Sequence, residues 1–221
     1  MREKEYLSEI LELIKIRFEN PEFVLKKIKK RIKEFERLGK LGQVRFNFEP
    51  FLNLEIDATI ETELAFCIST ANSSAKAGLK FQKMLEDKDI FSMKIEDFEK
   101  LLRISGVRFY RKKSIYIIDA IKKIQNFKIP ENGSMRDLLV REIKGLGYKE
   151  ASHFLRNIGI KNLAILDRHI LDWLGIKQRI VSKKRYVEAE EELRDFARRI
   201  GKNLAELDLL LWSIKTGMVL K

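Results

Sequence analysis

The chain has 221 residues, enough to bury a substantial core in one domain or two small ones. A hydrophobic content of 45% with 10% aromatics argues for a folded globular protein, and a single cysteine, Cys67, excludes an intramolecular disulfide and any all-cysteine zinc or iron–sulfur site. With 45 basic against 33 acidic residues the net charge is +12, spread along the whole chain, which favours a polyanionic partner: nucleic acid or an anionic membrane face.

The N-terminus, MREKEYLSEILELIKIRF, sets charged and apolar residues at helical spacing and lacks the unbroken apolar stretch of a signal peptide. No apolar run approaches the roughly 20 residues that a bilayer span needs. An intracellular, reducing setting is the simplest expectation. Asn20-Pro21 then opens EFVLKKIKKRIKEFERLG, with Asn20 as N-cap, Pro21 at the first helical position and Gly39 as terminator. Residues 41–55 break the periodicity and read as a long connection. In TIETELAFCISTAN the segment Leu64 to Ile68 is apolar all round, so a buried helix is expected. It ends in Thr70-Ala71-Asn72-Ser73-Ser74, residue types suited to turns and to anion contacts.

Helical patterns follow in AKAGLKFQKML, EDFEKLLRISG and YRKKSIYIIDAIKKI, the last two meeting across Gly106. Ser134-x-x-Asp137 resembles a capping box before MRDLLVREI. From Lys149 to Ile158 a helix puts Ala151, Phe154, Leu155 and Ile158 on one face, with Gly159 as its stop. Asp167 precedes RHILDWLG, and YVEAEEELRDFARRIG and LAELDLLLWSIKTG close the chain. About ten helices with short connections predict an all-α architecture.

Residues 142–170, EIKGLGYKEASHFLRNIGIKNLAILDRHI, hold both histidines, His153 and His169. Gly145 and Gly147 allow a tight helix hairpin and leave N–H groups at the start of the next helix free to bind a phosphate. A plain helix–helix turn is the alternative. Lys149 lies in the first turn of that helix, where the macrodipole disfavours a cation and so favours the free amine that Schiff-base chemistry requires. A solvated surface lysine is the other reading. Asp167, eighteen residues on, is a helix N-cap by position; a carboxylate held there could also stabilise a developing sugar cation. The two histidines lack the further ligands of a zinc site, and no P-loop or dinucleotide fingerprint occurs.

The stretch resembles the helix–hairpin–helix and downstream aspartate of the endonuclease III superfamily of DNA glycosylases. Within it, K-G-x-G-Y-K-E-A-S-H-F-L-R-N and I-L-D-R-H-I are similar to the type-2 8-oxoguanine DNA glycosylase/AP lyases of archaea and some bacteria. A-F-C-I-S-T-A-N, G-V-R-F-Y-R-K-K and L-W-S-I-K-T-G-M-V-L-K extend the resemblance over most of the chain. It implies Lys149 as nucleophile and Asp167 as its assistant. It implies Phe109 and Trp212 as the aromatics that sandwich a flipped base. Lys221 would be the terminal lysine whose carboxylate accepts the N7–H that marks oxidised guanine. Gly145, Gly147, Asn72, Ser73, Arg108, Arg111, Lys112 and His153 fall where contacts to DNA are expected, Asn72 in the gap left by the extruded nucleotide. Lys113 would join Arg108, Arg111 and Lys112 in a basic cluster following phosphates. The iron–sulfur cluster of endonuclease III itself cannot be built with one cysteine.

The resemblance therefore implies two helical subdomains flanking a cleft, residues 1–55 with 163–221 forming one lobe and 56–162, including a helix–hairpin–helix at about 135–159, the other. The expected activity is excision of 8-oxoguanine from duplex DNA through a Lys149 Schiff base, followed by β-elimination. The expected enzyme is a monomer of the prokaryotic cytoplasm or nucleoid, away from membranes. It would use no redox cofactor or divalent metal, with a monovalent cation at the hairpin carbonyls compatible. Alternatives are a glycosylase for other oxidised bases and a non-catalytic DNA-binding module.

Overall fold

A computed structural model describes residues 10, 12–125, 135–178, 180 and 182–221. Ser134 as a cap and residues 1–9 of the amphipathic N-terminus lie outside them. After a helical stretch at residues 12–17 come α1 (Pro21–Leu41), β1 (Gln43–Asn47), β2 (Glu55–Thr59), α2 (Ile60–Thr70), α3 (Ala75–Lys83), α4 (Ile95–Ile104) and α5 (Tyr110–Ile124). They are followed by α6 (Met135–Glu142), α7 (Tyr148–Asn157), α8 (Arg168–Trp173), α9 (Lys183–Arg199) and α10 (Leu204–Thr216). Among the described residues, no helix is long and apolar enough to cross a membrane.

The stretch expected to be a connection at 41–55 instead carries an antiparallel hairpin, with Val44 opposite Ala58 and Phe46 opposite Ile56. These four face inward while Gln43, Arg45, Glu55 and Asp57 stay exposed. Alternation over five residues is too short to register against the surrounding helical pattern. Across the outer face Arg45 donates Nε and Nη2 to both oxygens of Asp57, at 2.8 and 2.7 Å.

Gly39 is not the end of α1. The helix runs to Leu41 and stops at Gly42, whose φ of 74° lets its N–H donate to the Leu38 carbonyl at 2.9 Å. Gly39 is required by a neighbour: a Cβ there would lie 2.0 Å from the carbonyl oxygen of Ile158, at the end of α7. The glycine thus lets two helices touch backbone to backbone. Gly39→Ala is expected to push them apart at a cost of about 1–3 kcal/mol or more, a fall of roughly 5 °C in Tm. Calorimetry checks it, and an unchanged Tm would refute the close approach.

Helix α2 runs through the middle, with Leu64 to Ile68 buried as their all-apolar run predicts. It packs on α3, α5 and α7, while α10 packs on α1 and α8. The hairpin of α6 and α7 is fastened to α9 by a buried bidentate pair: Arg136 donates Nη1 and Nη2 to the two Glu190 oxygens at 2.7 and 2.9 Å. Glu190 also accepts the Ala164 N–H at 2.7 Å, which fixes the chain leading to Asp167. One ion pair therefore sets the relation between the Lys149 helix and the Asp167 segment.

Candidate active site

A cleft of about 1420 Å³ opens between α7, α8, α10 and the loop after α2. It exceeds the roughly 300–1,000 Å³ typical of a small-molecule pocket. Lys76, Arg108, Arg168 and Lys177, all exposed, lie on its walls. A space of this size with a basic rim suits a polyanion that inserts one group deeply.

The turn Gly145-Leu146-Gly147 places Lys149 on this cleft. Gly145 has a φ of 94°, and a Cβ on it would meet the Tyr116 ring at 2.7 Å, so both conformation and space require glycine. Gly147 caps α7 without any side-chain oxygen. The N–H groups of the first helical turn, which have no intrahelical acceptor, are thereby left for an external anion. Lys149 is one-third exposed, and its Nζ lies 3.0 Å from Glu150 Oε1.

Asp167 N-caps α8 through one oxygen. Its Oδ1 accepts the N–H of His169 at 2.8 Å and of Ile170 at 3.0 Å. The carboxylate is held by the helix start, and Asp167 lines the same cleft as Lys149. The cleft is therefore built to present an amine and an anchored carboxylate to one occupant.

Trp212, half-buried on α10, and Lys221 complete the inner end. The Lys221 side chain, far from fraying, is wholly buried and bonded to Glu63 and Gln82. His153, one helical turn after Lys149, lines the same cleft and points towards its inner end. Its ring meets Phe66 edge-on at 5.6 Å, and its Nε2 is buried without a hydrogen-bond partner among the described residues. Burial, followed by the charges of Arg156, Lys149 and Lys221, pushes its pKa well below the usual histidine value, so the ring is neutral.

Asn72, Ser73 and Arg108 line the opposite wall. Asn72 is exposed in the left-handed region, with a φ of 55°. Ser73 is a brace: its Oγ accepts from the Arg108 N–H at 2.9 Å and from Lys113 Nζ at 3.0 Å. Lys113 is the clearest departure from the expected basic cluster. Its ammonium turns inward, donating to the carbonyls of Ser69 and Ala71 at 2.7 and 2.6 Å, and burial lowers its pKa to about 8. Arg111 and Lys112 remain exposed but stand outside the cleft lining, as does Gly145.

Phe109 also stands outside the lining. It is 59% exposed beside the cleft wall at Arg108, whose guanidinium lies 5.5 Å from its ring, and has a φ of 59°. A bulky residue in the left-handed region is strained. The structure thus brings Trp212 and Lys221 together with Lys149 and Asp167, but leaves Phe109 outside the pocket it was expected to share with Trp212.

Two pocket residues were not anticipated. Arg156 and Asp208 are buried at its base, with Arg156 Nη1 3.2 Å from Asp208 Oδ2 but not aligned as a hydrogen bond. Burial raises the Asp208 pKa to about 7 against the pull of Arg156, with Asp167 adding to the rise. The available signal was helical spacing: Lys149, His153 and Arg156 fall at i, i+4 and i+7 of α7. Among the described residues, no three His, Cys, Asp or Glu side chains gather as a metal site.

A family model described as 8-oxoguanine DNA glycosylase matches residues 28–202. The 8-oxoguanine DNA glycosylase/AP lyase of Aquifex aeolicus is 41% identical over 213 residues, 90% of this chain and 94% of that protein. Its namesake from Korarchaeum cryptofilum is 42% identical over 205 residues, covering 88% and 90%. The crystal structure of the Methanocaldococcus jannaschii 8-oxoguanine glycosylase/lyase with a 15mer DNA containing 8-oxoguanine aligns with a TM-score of 0.73 at 37% identity, over 89% of this chain and 92% of that one. The 8-oxoguanine DNA glycosylase of Thermotoga maritima aligns at 0.78 and 36% identity, over 97% and 100%.

Proposed function

Because the chain belongs to the 8-oxoguanine DNA glycosylase family, we propose that it is a bifunctional glycosylase/AP lyase that removes 8-oxoguanine from duplex DNA and then cuts the strand. The observation that carries the reading is one cleft lined by Lys149, Asp167, Trp212 and Lys221 together. The hairpin N–H groups at Gly147 grip a phosphate, and Asn72 enters the gap left by the extruded nucleotide. Trp212 stacks on the extruded base. Phe109 joins the sandwich only when the DNA-bound protein carries it inward. The main-chain oxygen of Lys221 accepts the N7–H that guanine lacks.

Lys149, as the free amine, attacks C1′ while the C1′–N9 bond breaks and the base leaves with the electron pair. Asp167 stabilises the positive charge that develops on the sugar. Loss of the nitrogen's proton and ring opening give an iminium. A proton then leaves C2′, a C2′=C3′ double bond forms and the C3′–O bond breaks, releasing the downstream strand with a 5′-phosphate; water then hydrolyses the iminium and frees Lys149. The iminium is the electron sink, so the scheme calls for no metal or redox cofactor. We take the enzyme to act as an intracellular monomer, in two lobes, residues 1–55 with 163–221 and residues 56–162; the packing of α1 against α10 supports the first.

Borohydride reduction during reaction with an 8-oxoguanine duplex tests the reading. A covalent protein–DNA adduct is expected. Tight DNA binding without an adduct would instead make the protein a helix–hairpin–helix binding module, and an adduct only with oxidised pyrimidines would shift the substrate.

A further inference from the structure

The scheme above uses Lys221 only through its main chain, yet its side chain is a fully buried charge. Lys221 Nζ donates to Glu63 Oε2 at 2.5 Å and to Gln82 Oε1 at 2.6 Å, and neither side chain of the ion pair is exposed at all. Its remaining face looks onto the rings of Phe46 and Phe66, with centroids at 4.2 and 4.4 Å. Glu63 is equally occupied: Oε2 also accepts from Gln82 Nε2 at 2.9 Å, and Oε1 accepts from Asn157 Nδ2 at 2.6 Å.

A buried ion pair is weak grounds for stability, because the desolvation of both charges offsets their attraction and apolar side chains of like size do as well. Between two phenylalanine rings, a methionine would fill the space without that cost. What the ion pair adds is direction. Bonds to α2 and α3, with the rings above, hold the ammonium at one point, and the main chain of Lys221 follows it to the wall of the cleft. We propose that Glu63, helped by Gln82, is a positioning residue for base selection: it anchors the Lys221 side chain from inside the protein and so sets where the Lys221 main chain meets the extruded purine.

The proposal rests on the excision reading and deepens it. Neither Glu63 nor Gln82 lines the cleft, so their influence on a substrate passes through Lys221. A hydrogen bond to N7–H weakens steeply with distance and angle. Displacement of a positioning contact by 1 Å can cost about 100-fold in rate. Steps that need no base in the pocket are spared.

Two reactions of the same protein separate these cases: single-turnover excision of 8-oxoguanine, and cleavage of a preformed abasic site. Glu63→Gln keeps the shape and removes the charge. It is expected to slow excision about tenfold or more while abasic-site cleavage stays within about twofold. Gln82→Leu removes an acceptor from Lys221 and a donor to Glu63 but leaves the ion pair, and a smaller loss of about threefold, again confined to excision, is expected. If Glu63→Gln does not fold, Gln82→Leu decides. Unchanged excision in a folded variant overturns the proposal. So does an equal fall in both reactions, which would make the network merely structural. A wild-type protein that excises nothing would instead sink the excision reading.

Discussion

Lys149→Gln is expected to yield a folded protein that binds lesion DNA, forms no borohydride-trapped adduct and nicks strands at least about 1,000-fold more slowly. The magnitude follows from the absence of a substitute: an amide has no basic lone pair to attack C1′ and cannot form an iminium. The fold should hardly notice. Lys149 is one-third exposed and its ion-pair partner is the adjacent Glu150, a surface contact of about 0–1 kcal/mol. Removing a cation from the positive end of the helix dipole offsets part of that small loss. Trapping gels with wild-type and variant protein, alongside thermal melts, give the answer. A trapped adduct in the variant would move the nucleophile elsewhere.

Asp167→Asn separates two roles that share one side chain. Asparagine caps helices about as well as aspartate, whereas alanine costs about 1 kcal/mol. The Oδ1 contacts to His169 and Ile170 can therefore persist while the negative charge is lost. Excision is expected to fall by about 100-fold or more, the scale of removing one electrostatic contact to a transition state, with DNA affinity little altered. Asp167→Ala should add the loss of the cap to the same kinetic defect. Single-turnover excision and a binding titration decide; full turnover in the asparagine variant would leave Asp167 only its cap.

The local half of this site was legible in the residues. Asn20-Pro21, the all-apolar Leu64–Ile68 run and the cap at Asp167 express themselves within a helical turn or two, and the structure has them at those positions. So does the hairpin, since Gly145 needs its φ of 94° whatever surrounds it. What periodicity could not disclose were properties created by distant partners. Gly39 resembled a terminator because glycine ends helices; its reason is the Ile158 backbone, 119 residues away in sequence. Lys113 looked like one more surface cation in R-K-K, yet it turns inward to the end of α2. His153 reads as polar until Phe66 and Lys221 enclose it. Phe109 is the reverse case: an aromatic that is 59% exposed, at a left-handed backbone position that its residue type does not announce.

The Lys221–Glu63 contact joins positions 158 residues apart. Closing so long a loop carries an entropic cost that local contacts do not, and contacts of this kind slow folding. The α6–α7 hairpin, by contrast, is made from neighbouring residues. The two parts of the cleft therefore differ in how far along the chain their supports lie. The wall at Lys221 depends on a contact that spans most of the chain, whereas the turn that carries Lys149 depends on its own neighbours. Truncation or local unfolding at either end of the long loop is thus expected to disturb the wall before the turn.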